Sequence, residues 1–157
     1  MNAVLPLKIP GSHNPAGDRA VVEWMRTAYK SMGKFPDTAF VRDVAPTHMS
    51  NISMAGGMNQ VLEFAIGKSP RTEILAAIVY LTTAACEGAS TNEIAQHLER
   101  SGIILTLQSV GANLREMRSD GHVVSVPIGR TTLWCLTKKG SKFMVDQGKA
   151  FDEFQRS

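Results

Sequence analysis

The chain has 157 residues, which suffices for one domain and some excess but not for a large two-domain enzyme. Its residues are 43% apolar and 20% charged, a composition that allows an ordinary hydrophobic core and excludes a wholly disordered protein. The formal net charge of +3 permits a polyanionic partner but is too small to require one.

The first half of the chain predicts a tail, two helices and a linker. Residues 1–17 contain three prolines and two glycines without an apolar period, which is typical of a mobile tail or of an arm that orders on a partner. Asp18 can cap an amphipathic helix over residues 19–32, whose apolar positions recur every three or four residues. Residues 34–57 have no steady period and are interpreted as a linker with one short helix, and helical spacing returns over residues 58–66.

Two further helices are predicted after this linker. Residues 71–85 are apolar on more than one side, as expected of a helix in the centre of a core. Ser90 and Glu93 match a capping box, in which the hydroxyl accepts a hydrogen bond from a free amide of the first turn and the carboxylate accepts one from the amide of the cap residue. The box predicts a short helix over residues 91–100.

A third helix is expected to end at Ser119. Thr106 can cap it, and its apolar stripe consists of Leu107, Val110, Leu114 and Met117. Gly111 lies inside this helix at a cost of about 1 kcal/mol relative to alanine, which a close approach of another backbone would explain.

After the third helix the apolar period changes from about 3.6 to about 2. Residues 122–126 and 132–136 alternate as two strands, joined in a hairpin by the segment 127–131. A last amphipathic helix is predicted to begin at Ser141, and Gly148 is expected to weaken or kink it.

A helix, a capped short helix, a second capped helix and a hairpin follow one another in the winged helix-turn-helix family, and residues 71–140 resemble that family in four motifs. The segment 90–95 is similar to the start of the family's positioning helix, 109–117 to its recognition helix, 120–123 to the turn into the wing, and 136–140 to the motif that closes the wing. The loop over residues 101–105 is longer than the family's usual turn.

The resemblance implies a mainly α-helical fold with a small β-hairpin wing and extra helices at both ends. The chain then divides into a flexible tail over residues 1–17, a helical extension and linker over 18–70, a winged helix-turn-helix domain over 71–140 and a C-terminal helix over 141–157. The extra helices have apolar faces, which could form a homodimer interface, cover the core of a monomer or contact a protein partner.

The resemblance also implies that the third helix, residues 106–119, lies in the major groove of DNA, which is about 12 Å wide and admits one helix. At about 100° per residue, the apolar stripe leaves five candidate base-reading residues on the outward face or at its margin: Gln108, Ser109, Ala112, Asn113 and Arg115. Amides can pair with adenine, a guanidinium with guanine, and an alanine methyl can touch that of thymine. Glu116 also points outward, where a carboxylate beside phosphates is unfavourable.

The wing, residues 122–136, is expected to supply a second contact. Arg130, next to Gly129 at the hairpin tip, can enter the adjacent minor groove. Phosphate contacts are expected from Thr106, Arg118, Lys138 and Lys139. From Arg100 to Lys142 there are seven basic and two acidic residues, a net charge of +5, whereas the rest of the chain has a net charge of −2. This concentration of charge favours a polyanionic partner.

Other classes of protein lack support in the sequence. It has no nucleophile elbow, phosphate-binding loop or HExxH motif, so no enzyme activity is expected. Cys86 and Cys135 are too few for a disulfide scaffold, and the four histidines lack metal-ligand spacing, with His122 expected at a strand edge. The longest apolar run, from Ile74 to Cys86, is shorter than the roughly 20 residues that span a bilayer. We therefore expect no cofactor, no metal and no membrane contact.

The sequence thus favours a cytoplasmic transcriptional regulator that binds double-stranded DNA as a homodimer, as a repressor more readily than as an activator. A winged helix can instead serve as a protein-protein interaction module. In that alternative the chain inhibits or recruits a protein such as RNA polymerase or a nuclease complex, through the same basic face or through its N-terminal helices.

Overall fold

Two units can be distinguished in the structure, a computed structural model that describes residues 7, 9, 10, 12, 15–83 and 88–157. The helical unit consists of Met1–Ser69 and Gln147–Ser157, and the wing unit consists of Pro70–Asp146. Much of the predicted tail, the last two residues of the predicted helix 71–85 and Cys86 lie outside the described residues. None of the described helices is both long and apolar enough to span a membrane.

Helices form almost all of the regular structure in the helical unit. They are α1 (Pro15–Met32), α2 (Thr38–Val44), a 3-10 turn (Pro46–His48), α3 (Met49–Met54), α4 (Met58–Ile66) and the second part of α8 (Lys138–Arg156). Its core includes fully buried apolar side chains of α1 and α4, namely Val21, Val22, Met25, Val61, Leu62 and Ile66. Gly67, at φ +81°, ends α4 in the left-handed conformation that glycine favours, as the predicted helix over 58–66 requires.

The start of α1 differs from the prediction. The helix begins at Pro15, inside the segment interpreted as a tail, and Asp18 lies in its first turn. The buried Asp18 carboxylate accepts hydrogen bonds from the backbone N–H of Ile9 at 2.8 Å and from the hydroxyl of Ser12 at 2.9 Å. The predicted cap at Asp18 is therefore wrong, because this side chain binds the preceding segment, and Ile9 is itself buried.

The segment 34–57 is more helical than the predicted linker with one short helix. It contains α2, the 3-10 turn and α3. Asp37 caps α2 by accepting a hydrogen bond at 2.7 Å from the backbone N–H of Phe40. Helices of seven and six residues are too short to show a clear apolar period, which explains the incomplete prediction.

Three helices and a hairpin form the wing unit. They are α5 (Pro70–Leu81), α6 (Thr91–Arg100), α7 (Leu107–Ser119), β1 (Val123–Ile128) and β2 (Thr131–Leu136), followed by the first part of α8. The predicted capping box is present, since Ser90 Oγ accepts from the Glu93 N–H at 3.2 Å and Glu93 Oε1 accepts from the Ser90 N–H at 3.0 Å. Buried apolar side chains of all three helices and both strands form one core, which includes Ile74, Ile78, Ile94, Leu98, Val110, Leu114, Met117, Val123 and Trp134.

The hairpin is tighter than the predicted connection over residues 127–131. Pairing continues to Ile128 opposite Thr131, so only Gly129 and Arg130 form the turn. Gly129 has φ +61°, which fits the first central position of a type II′ turn. The backbone of β2 also exchanges two hydrogen bonds with Ala89, at the Trp134 N–H and carbonyl.

Helix α8 begins at Lys138, three residues before the predicted start, and it continues without a break through Gly148. The Thr137 hydroxyl accepts a hydrogen bond from the Gly140 N–H at 3.1 Å and thereby caps the helix. Gly140 itself lies against the His122 backbone, where a Cβ atom would overlap the carbonyl oxygen. His122 directly precedes β1, and its ring is buried and stacks on Phe143 with a centroid separation of 4.5 Å.

Candidate nucleic-acid interface

Helix α7 is fastened to the core of the wing unit along one side only. Thr106 caps it as predicted, with its hydroxyl accepting from the Ser109 N–H at 3.0 Å. Val110, Leu114 and Met117 are fully buried. Leu107 is 53% exposed, so the predicted stripe is wrong at this position, because the first turn of the helix lies outside the core. The opposite face of α7 is left accessible.

The predicted base-reading residues divide into two groups. Gln108, Ala112 and Arg115 are exposed, and their spacing of four and three residues places them on one face of α7. Ser109 and Asn113 are half-buried, and the Asn113 side-chain amide donates a hydrogen bond at 2.9 Å to the Ser109 carbonyl. The first group forms one exposed face of α7, while the second lies at the margin of that face.

Gly111 has no close backbone neighbour, contrary to the sequence-based expectation. A Cβ atom there would meet the Arg115 side chain, with the Nη1 atom at 3.3 Å. The glycine therefore leaves space for the guanidinium beside the helix. This contact is with the end of a flexible side chain, which can move away.

Two arginines lie on the hairpin or next to it. Arg118 Nη1 donates a hydrogen bond to the Ser125 hydroxyl at 3.0 Å, and its guanidinium lies 5.4 Å from the Trp134 ring centroid. Arg118 thus joins α7 to both strands at the base of the wing. Arg130 is exposed in the two-residue turn at the tip.

The two candidate lysines lie in the first turn of α8. Lys138 and Lys139 are exposed, and Lys139 Nζ donates a hydrogen bond at 2.6 Å to the backbone carbonyl of Asp120. A cation at a helix N-terminus is unfavourable for the helix dipole, and the carbonyl at the end of α7 offsets this for Lys139. Lys139 therefore places its ammonium between the end of α7 and the start of α8, and the exposed Lys138 precedes it in the same turn.

The two acidic residues between Arg100 and Lys142 are both paired with Arg71, which lies outside the predicted site. Arg71 Nη1 lies 2.9 Å from Glu116 Oε1 and 3.4 Å from Asp120 Oδ2. The Arg71 side chain is 8% exposed, whereas the Glu116 and Asp120 side chains are 55% and 46% exposed. The only sequence signal for Arg71 is its position as a charged residue at the start of the apolar helix.

These elements define a winged helix-turn-helix protein, and the predicted fold class is confirmed. Three packed helices precede a two-stranded antiparallel wing, and further helices lie on either side of this unit in the sequence. The third helix of the unit presents a polar face, and the wing presents a basic tip.

Comparisons with known proteins return distant structural similarities. No protein-family profile and no curated protein matches the sequence. The solved structures that are similar to it include the complex structure of hsRosR-S1, with 20% identity over 52% of this chain and 70% of that chain and a TM-score of 0.44. They also include a mutant of MepR from S. aureus, with 20% identity over 76% and 79% and a TM-score of 0.48, and a MarR-family transcriptional regulator from Rhodococcus sp. RHA1, with 21% identity over 76% and 81% and a TM-score of 0.45.

Proposed function

We propose that the protein is a transcriptional regulator that binds double-stranded DNA through α7 and the wing. The observation that carries this proposal is the two-sided character of α7. One side is fully buried in the core, and the other presents Gln108, Ala112 and Arg115 to solvent. A helix held in this way can enter the major groove without unfolding any part of its own unit.

In this proposal the residues have separate roles. The exposed face of α7 reads base edges, with Ser109 and Asn113 at its margin, and Arg130 reaches the minor groove from the wing tip. Thr106, Arg118, Lys138 and Lys139 contact phosphates and set the register of the protein on the duplex. A protein that covers a site in this manner excludes other proteins from it, which favours repression over activation.

Duplex binding is expected to weaken when Arg115 or Arg130 is replaced by alanine. Each replacement should cost about 1–3 kcal/mol of binding free energy, since each removes a base-reading guanidinium. The dissociation constant for a duplex selected from a random pool, measured by gel shift over a salt series, checks this. Arg42→Ala, at an exposed arginine of the helical unit, is the control and should leave the constant unchanged. Binding that is absent in the unaltered protein or independent of salt would refute the proposal.

We further propose that the regulator is a homodimer, with the helical unit as the source of the contact. Val44 and Met54 are exposed apolar side chains of that unit, and a dimer would place two α7 helices on a palindromic site. Light scattering should return twice the 17.1 kDa mass of one chain at micromolar concentration. A mass of one chain would contradict the homodimer.

One observation favours the alternative of a protein-protein interaction module. The outer face of the wing is apolar, since Val124, Val126 and Ile128 are all exposed on the same side of β1. Such a face suits a protein surface, for example on RNA polymerase or a nuclease complex, better than it suits phosphates. The duplex-binding experiment separates the two functions, because an interaction module of this kind would not bind the duplex with an affinity that falls steeply as salt rises.

A further inference from the structure

Arg71 joins four parts of the wing unit. It lies at the start of α5, and one of its nitrogens, Nη1, lies within 3.4 Å of carboxylate oxygens both in the last turns of α7 and in the residue that follows α7. The Arg71 guanidinium also lies 5.5 Å from the ring centroid of Phe143 in α8. A buried guanidinium requires such partners, because an unpaired charge in this position would be strongly unfavourable.

The two carboxylates are placed where they would otherwise oppose DNA binding. Glu116 directly follows Arg115 in α7, and Asp120 is two residues beyond Arg118. Both carboxylates are about half exposed, so their charges would repel a polyanion that approaches through the solvent. They are also the only acidic residues between Arg100 and Lys142, the segment with a net charge of +5. Arg71, which lies outside this segment, therefore offsets the repulsion between these two carboxylates and a DNA duplex.

We infer that Arg71 is a positioning residue for duplex binding, which holds the end of α7 against α5 and compensates the charges of Glu116 and Asp120. The inference rests on the proposed function. Arg71 itself is buried and does not contact the duplex. Its effect on affinity passes through the two carboxylates and through the orientation of α7.

The test compares Arg71→Gln, Arg71→Lys, Glu116→Gln and the double variant Arg71→Gln with Glu116→Gln. The probe is a labelled mixed-sequence duplex of about 30 base pairs, long enough for two half-sites, titrated over a salt series. Arg71→Gln should weaken binding about fivefold to tenfold near 100 mM salt, and the loss should shrink at higher salt, where the charges of the two carboxylates are screened. Arg71→Lys keeps the charge but loses the planar guanidinium that contacts both carboxylates and the Phe143 ring, so its affinity should lie between those of the unaltered protein and Arg71→Gln.

The double variant separates charge compensation from packing. If Arg71 compensates Glu116, the gain in affinity from Glu116→Gln is larger in the Arg71→Gln background than in the otherwise unaltered chain. If the role of Arg71 were purely structural, Arg71→Gln would weaken duplex binding equally in the chain with Glu116 and in the chain with Glu116→Gln. Thermal melting followed by circular dichroism establishes that each variant is folded. If Arg71→Gln does not fold, Arg71→Met, which fills similar space without charge, takes its place.

Arg19 provides the matched control. It is an exposed arginine of the helical unit that pairs with Glu23 at 3.5 Å, so Arg19→Gln changes the net charge by the same amount at an ordinary surface ion pair. This variant should bind the duplex as the unaltered protein does. If the unaltered protein does not bind, the proposed function and this inference both fail. If it binds and Arg71→Gln binds equally well, or if Glu116→Gln restores nothing, only the inference is overturned.

Discussion

Replacing Gly140 by alanine is expected to destabilise the wing unit by about 3 kcal/mol, near the upper end of the usual cost of overpacking. The added Cβ would overlap the His122 carbonyl oxygen and would lie 2.9 Å from Leu136 Cδ1. The carbonyl has little freedom to move, because it accepts a hydrogen bond at 3.1 Å from the Thr137 N–H and the His122 ring is stacked on Phe143. Urea unfolding followed by circular dichroism measures the change in the free energy of unfolding.

The same helix offers a control with the opposite expected sign. A Cβ at Gly148 would meet no heavy atom within 4 Å beyond the neighbouring backbone, so Gly148→Ala should gain up to about 1 kcal/mol from helix propensity. The pair compares one chemical change at two positions of α8. Equal effects at Gly140 and Gly148 would mean that the close contact between α8 and the His122 backbone does not exist.

Replacing Leu114 by alanine is expected to cost about 2–5 kcal/mol of unfolding free energy. Leu114 is fully buried on the inner side of α7 and belongs to the core cluster that contains Ile78, Ile94 and Leu98. The cavity left by the leucine side chain would lie among α5, α6 and α7, and the close packing of these helices limits how far the cavity can close. Unfolding in urea, with the dissociation constant for duplex measured in parallel, checks both stability and the expected loosening of α7.

Leu107 is the control for Leu114, since it belongs to the same helix and to the same predicted apolar stripe. Its 53% exposure predicts that Leu107→Ala changes stability by less than about 0.5 kcal/mol. A loss of stability as large as that of Leu114→Ala would show that the first turn of α7 is packed in the core and that Leu107 is not exposed.

Locally determined features of the wing unit could be predicted from the sequence. The capping box at Ser90 and the Thr106 cap each depend on residues three positions apart, so a short stretch of sequence contains all the information that they need. The change of period after Gly121 likewise marks the hairpin. The turn was placed less well, because the strands pair to their last residues around Gly129 and this pairing is not visible in the alternation alone.

Features that depend on distant partners could not be predicted. Aspartate is a common N-cap residue, but the Asp18 carboxylate accepts a hydrogen bond from the backbone N–H of Ile9, nine residues earlier. Arg71 meets Glu116 across 45 positions and Asp120 across 49, and no periodicity links such residues. The apolar stripe of α7 predicts which face of the helix points outward. The ion pairs of Arg71 with Glu116 and Asp120 could not be predicted in this way, because they form only when α5 packs beside α7.

The position of Trp134 at the base of the wing gives the protein a built-in optical reporter. Its indole N–H donates to the Thr91 hydroxyl at 3.2 Å, and its buried ring lies beneath the Arg118 guanidinium. The chain has two tryptophans, so a Trp24→Phe variant retains this one as its single indole emitter. A displacement of the hairpin relative to α6 or α7 would alter the polarity around that indole, and the wavelength of its emission would record the movement without an attached dye.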